Sequence, residues 1–116
     1  MMDIEQLQKI CLALPGVTED VKWEHDLVFS VGGKMFCVAS LEPPFTCSFK
    51  VLDEEFEELS NREGLVPAPY MARAMWVMVK KASVFSRKEW ESRIRLSHEL
   101  VARKLTKKMR TELGLG

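Results

Sequence analysis

The stretch Leu27-Val28-Phe29-Ser30-Val31-Gly32-Gly33-Lys34-Met35-Phe36-Cys37-Val38-Ala39-Ser40 decides the fold. Residues 27–31 alternate as a half-buried strand does, and 34–40 read as the return strand. Gly32-Gly33 between them is a two-residue connection of the kind that primed hairpin turns need, because the central residues must take positive φ. An antiparallel hairpin follows. Downstream, Glu42-Pro43-Pro44 breaks the ladder, since proline has no N–H to donate. Phe45-Thr46-Cys47-Ser48-Phe49-Lys50-Val51 alternates again, so residues 45–51 are expected to be the next strand of a meander. Upstream, residues 17–20 read as a polar turn and Val21-Lys22-Trp23 as a short strand.

Helices flank this sheet. Asp3 is an N-cap with Gln6 at the reciprocal capping-box position, and Met2 with Leu7 forms a hydrophobic staple. Ile4, Leu7, Ile10 or Cys11, and Leu14 make a buried stripe that Pro15-Gly16 ends. A second helix starts at Asp53, buries Phe56 and Leu59, and has Gly64 as a stop signal. Pro67-Ala68-Pro69-Tyr70 reads as a stiff loop and 76–79 as a further strand. Ser86 with Glu89 is a capping box and Phe85 with Trp90 its staple. Trp90, Ile94, Ser97 and Val101 share one face of the helix that follows. After a break at 105–106, Met109 and Leu113 lie four apart on a short last helix. The expected architecture is one α+β domain over 1–116, a two-layer sandwich with a largely antiparallel sheet, helices packed on one face and the other face open.

Composition narrows the class. Of 116 residues, 47% are hydrophobic and 29% charged, which suits a folded domain and excludes a disordered tail. No apolar run approaches the roughly 20 residues of a membrane span, and no signal peptide is read at the N-terminus. Cys11, Cys37 and Cys47 are too few and odd in number for a disulfide framework, so the expected address is the cytoplasm. Net charge is zero, yet residues 1–58 hold 12 acidic and 4 basic side chains whereas 59–116 hold 5 and 13. Either the halves neutralise each other, or a basic face meets an acidic partner.

The residues that could carry chemistry are sparse. The cysteines with His25 and His98 lack the paired spacing of a structural zinc site, so no metal and no cofactor are expected. His25, within Trp23-Glu24-His25-Asp26, reads as a turn histidine bonded to a carboxylate or backbone, and His98 as a surface residue. No phosphate-binding glycine motif occurs. Basic and aromatic residues remain: Lys22, Trp23, Lys34, Lys50, Arg73, Trp76, Lys80 and Lys81 fall on or beside strands, where lysine meets phosphate and aromatic rings stack on bases. The bases of the last helices read as a solvated face with pairs Glu91–Arg95 and Glu99–Arg103.

Taken in order, several segments resemble the MmcQ/YjbR family of small bacterial proteins. They are Cys11-Leu12-Ala13-Leu14-Pro15-Gly16, Val21-Lys22-Trp23 with His25, the run 27–36, and Ser48-Phe49-Lys50-Val51. Gly64-Leu65-Val66-Pro67-Ala68-Pro69-Tyr70 and Trp76-Val77 follow, then a helix with Ser97 and Leu100-Val101. The resemblance covers nearly the whole chain. It implies a CyaY-like (frataxin-like) double-wing fold and a DNA-binding label; the expected function is that of a non-enzymatic DNA-binding protein of low sequence specificity. It places Trp23, Lys34, Lys50, Tyr70 and Trp76 among the surface candidates and carries over no catalytic residue. Frataxin-type iron binding needs an acidic first-helix ridge, for which this helix offers only Asp3 and Glu5, with Glu19 and Asp20 beyond its end. The expected partner is DNA, with a monomer favoured. The alternative is a protein-interaction domain using the open sheet face or the last helix.

Overall fold

Gly32 and Gly33 take φ values of +58° and +81° and close the central hairpin with Val31 opposite Lys34. In this computed structural model, which describes residues 2–115, the hairpin joins β2 (Asp26–Val31) to β3 (Lys34–Ser40). The two glycines answer different demands. A Cβ on Gly33 would meet nothing within 4 Å, whereas one on Gly32 would lie 2.7 Å from Leu105 and 2.9 Å from Met109. Gly32 is thus both a turn residue and a seat for the C-terminal helix.

Around the hairpin, β1 (Val17–Lys22) pairs with β2, and β4 (Cys47–Lys50) pairs with β3. Beyond β4 come β6 (Trp76–Val79) and the short β5 (Leu65–Pro67). The sheet has six strands in the order β1-β2-β3-β4-β6-β5, and every pairing is antiparallel. The helices are α1 (Ile4–Leu12), α2 (Asp53–Ser60), α3 (Arg87–Ala102) and α4 (Lys107–Glu112). Leu7 and Cys11 of α1, Leu59 of α2 and Trp90 and Ile94 of α3 pack on Phe29, Phe36, Phe49 and Val77 of the sheet. This is the expected α+β arrangement, with its core between one sheet face and the helices.

The helix starts differ in completeness. Ser86 Oγ accepts the Glu89 N–H at 3.2 Å and Glu89 Oε1 accepts the Ser86 N–H at 3.0 Å, so the α3 capping box closes. The rings of Phe85 and Trp90 stand edge to face 5.4 Å apart. At α1, Asp3 Oδ1 accepts the Gln6 N–H at 2.9 Å, but the Gln6 side chain instead accepts from Arg87 of α3. Half of that box is used for tertiary contact.

Four local expectations are corrected. Residues 17–20 are not a turn; they begin β1, and the turn falls at residues 23–25 with Trp23 and Glu24 at φ +51° and +68°. Val17 and Val21 lie opposite Val31 and Leu27 on the helix side, and an edge strand tolerates the polar residues between them. β4 spans Cys47–Lys50 rather than 45–51. β5 was not expected; it is three residues long and ends on Pro67 at the sheet's edge, where no ladder N–H is required. α2 ends at its C-cap Asn61, and Gly64, at φ +90°, shapes the approach to β5.

A bulge decides which side chains share a face. Phe29 pairs with Cys37 but Ser30 pairs with Met35, leaving Phe36 as the extra residue of β3. Phe36 and Cys37 therefore both enter the core, while Met35, Val38 and Ser40 share the opposite face. Ser97 of α3 completes this irregular point: its hydroxyl donates to Phe36 O at 2.6 Å and accepts the Lys50 N–H at 2.9 Å. A fully buried serine thus supplies the ladder bonds that β3 and β4 lose beside the bulge.

Candidate functional site: a groove on the open face of the sheet

The face away from the helices is open, as its alternation implies, but it is not featureless. Met35, Val38 and Met78 form an apolar floor interrupted by Ser40, Thr46 and Ser48, with Asp26 at one end. Ala68, Pro69, Tyr70 and Met71 fold over one side, and Trp23 stands at the other, enclosing a groove of about 550 Å³. The 68–75 loop is tied down by the bonds Ala68 N–H to Trp76 O, Trp76 N–H to Met71 O, and Lys50 Nζ to Ala74 O.

Both aromatic walls are held in unusual backbone. Ala68-Pro69-Tyr70-Met71 is a β-turn closed by Met71 N–H on Ala68 O at 3.1 Å. Proline takes its second position, and Tyr70, at φ +66°, takes the third, where glycine is usual. Trp23, at φ +51°, occupies the β1–β2 turn. Trp23 is 62% exposed and Tyr70 fully exposed, the two largest exposures among the large apolar side chains. A bulky residue in the left-handed region costs roughly 1–2 kcal/mol, and neither ring repays that by packing. Strain joined to exposure marks a surface kept for something other than stability.

The nine sequence candidates separate. Trp23 and Tyr70 line the groove, and Lys22 lies on the same face beside Trp23, opposite Asp26. Trp76 also belongs to this sheet face but is 4% exposed, so its ring presents no stacking surface. The Lys50 amine is engaged by Ala74 O, and burial, followed by the charge of Lys104, holds its pKa below the usual lysine range. Lys34 pairs opposite Val31 and so points to the helix side. Arg73 is exposed in a short 3-10 helix (Ala72–Ala74) that follows Tyr70. Lys80 and Lys81 follow β6, four strands along the sheet from Lys22, about 19 Å at 4.8 Å per strand. Lys81 faces Glu63 at 3.7 Å. The basic residues make no continuous stripe; Asp26 lines the groove, Asp20 and Lys22 share its sheet face, and Arg73 lies beyond Tyr70.

The other candidates also find places. His25 Nδ1 meets Glu42 Oε1 at 3.0 Å in an exposed turn, as the carboxylate-bonded reading expected. The three cysteines lie elsewhere, buried in the core, with Cys37 Sγ and Cys47 Sγ 3.5 Å apart. Burial pushes the Cys37 thiol well above its usual range. His98 is no surface residue: it is 4% exposed, its ring stands edge to face with Phe36, and its Nε2 donates to Pro15 O at 2.9 Å. On α3, Arg87 rather than Arg95 pairs with Glu91, at 3.2 Å. Among the described residues no ion pair forms between Glu99 and Arg103, where spacing predicts one. Arg93 makes a two-point contact with Glu55 of α2 at 2.8 and 3.0 Å, which joins the acidic and basic halves of the chain.

An antiparallel sheet covered by helices on one side and grooved on the other, with no cluster of potential metal ligands among the described residues, defines a small α+β domain with a prepared surface. The model of the YjbR family matches residues 12–100, and the chain belongs to that family. It is similar to the Deinococcus radiodurans protein DR2400, described with the domain DUF419, at 29% identity and a TM-score of 0.89, covering 100% of this chain and 91% of that one. A protein from Pseudomonas syringae shares the fold at 21% identity and a TM-score of 0.72, covering 86% of this chain and 99% of that one. No curated protein matches significantly. No helix among the described residues is long and apolar enough to cross a membrane.

Proposed function

We propose that this YjbR-family domain is a non-enzymatic binding module whose open sheet face captures a segment of a partner protein. The observation that carries this reading is the groove itself: an apolar floor between two strained, exposed aromatic side chains, Trp23 and Tyr70. Contiguous exposed apolar surface of this kind marks interaction sites, and aromatic residues dominate their energetics. The carboxylates of Asp26 in its lining and Asp20 on the same sheet face favour a segment with apolar anchors flanked by lysine or arginine. The reduced, buried thiols suit a reducing compartment such as the cytoplasm.

Nucleic-acid binding is the second reading. Exposed Trp23, beside Lys22, and Tyr70 across the groove are able to stack unpaired bases, although the dispersed lysines favour single strands over a duplex. One measurement separates the two. Trp76 and Trp90 are buried, so acrylamide quenching of fluorescence reports Trp23. A peptide alternating Leu or Phe with Lys is expected to protect Trp23, and an acidic counterpart is not. Protection by single-stranded DNA with a steep salt dependence, and none by the basic peptide, would establish the second reading instead.

A further inference from the structure

A different concavity lies on the helical layer, independent of the groove. Arg95, His98, Glu99 and Arg103 follow one stripe of α3, Pro15 closes one end, and Arg110 reaches in from α4, around a pocket of about 500 Å³. Among the described residues, Arg95 and Arg103 of α3 line the pocket on either side of Glu99. Neither Arg95 nor Arg103 has a carboxylate within ion-pair distance among the described residues, although Glu99 is four positions from each and spacing alone would pair them. The bond from His98 Nε2 to Pro15 O fixes the wall between α1 and α3. The carbonyls of the last α3 turn do not leave a bare negative end, because those of Glu99, Val101 and Ala102 accept the N–H groups of Arg103, Lys104 and Leu105.

From this geometry we infer that the pocket binds a compact phosphorylated small molecule. Guanidinium forks match phosphate oxygens two at a time, and the two forks of Arg95 and Arg103 on one helix stripe hold a multiply charged anion better than a single surface cation does. The volume lies within the range of small-ligand sites, large enough for a nucleotide. A concave site bounded by two helices and a loop selects a small molecule over the extended backbone of a polymer.

The test is calorimetric titration of the full chain with pyrophosphate at low ionic strength, alongside a short DNA duplex. Saturable binding at one site per chain is expected. The double variant R95Q/R103Q is expected to weaken it at least tenfold. K34Q/K80Q, which removes the same charge elsewhere, should change it less than twofold, and E99Q should tighten it. These side chains are exposed, so all variants should melt as the parent does. Amide shifts at Glu99 and Ala102 on adding pyrophosphate give a second readout that needs no variant. Any one of three results overturns the proposal: no saturable binding at millimolar pyrophosphate, equal weakening in both double variants, or binding of the duplex alone. Protection of Trp23 is expected to be unaffected, so failure here leaves the groove reading standing.

Discussion

At the level of single residues, position and side chain disagree most at Tyr70 and Trp23. Each sits at positive φ with its ring in solvent, so glycine there would relieve the backbone and remove little packing. Tyr70→Gly is expected to gain about 0.5 kcal/mol, the strain relieved being partly offset by a more flexible unfolded chain. Protection of Trp23 by the basic peptide should weaken at the same time. A urea melt showing a loss of more than about 1 kcal/mol would mean that Tyr70 packs on something. Ser97 is the reverse case, a polar side chain at 0% exposure with both hydrogen-bonding roles in use. Ser97→Ala leaves the Phe36 carbonyl and the Lys50 amide without partners, which should cost about 1–3 kcal/mol. If that variant melts like the parent, water or a backbone shift has satisfied both groups.

Among the elements, α3 is the one that organises the core. It carries Trp90, whose ring meets Phe45, Phe49 and Phe85 and whose Nε1 donates to Ala82 O. Trp90→Ala should cost about 3–5 kcal/mol through lost burial and the cavity left behind. Ser86→Ala, which removes only the cap, should cost ~1 kcal/mol. Equal losses would show that the cap and the core are not separable. The capping box also makes the helix start sensitive to acid. Glu89 accepts the Ser86 N–H, which holds its carboxyl below the usual range against the opposing effect of desolvation, with the Ser86 hydroxyl and the charges of Arg62 and Arg93 adding smaller downward pulls. A depressed folded-state pKa gives stability that is present above the unfolded value and lost as pH falls through the folded one. The melting temperature should therefore fall on acidification below the ordinary carboxylate range, and less steeply in Glu89→Gln. Superimposable pH curves for the two proteins would sink this assignment.

For the molecule as a whole, the core has one chemical signature: it encloses Cys11, Cys37 and Cys47, all at 0% exposure. Burial raises the Cys37 thiol above its usual range, so little nucleophilic thiolate forms near neutral pH. Alkylation by iodoacetamide should follow global unfolding, with all three thiols reacting together as denaturant rises. Rapid modification of one thiol under native conditions would reveal local opening of the sheet. The contact between Arg93 and Glu55 acts at the same scale, since it ties α3 to α2 and brings the oppositely charged halves of the chain together.

What the amino-acid order determined by itself was whatever rests on neighbours in the chain. The Gly32-Gly33 hairpin, β3 over Lys34–Ser40, β6, the Asp3 and Ser86 caps and the stripe from Trp90 to Val101 all depend on spacings of two to four residues. Trp23 and Tyr70 were also legible as surface candidates, through family resemblance rather than periodicity. Only the tertiary structure decided the rest. The Phe36 bulge, which puts Met35 and Val38 on one face, depends on how β3 registers against β2. The burial of Trp76 depends on a loop folding back over the sheet, and that of His98 on Pro15 reaching it from 83 positions away. Local pattern reports which face a residue takes within its own element. It carries no information about which distant segment covers that face, because burial is set by closure of the whole chain.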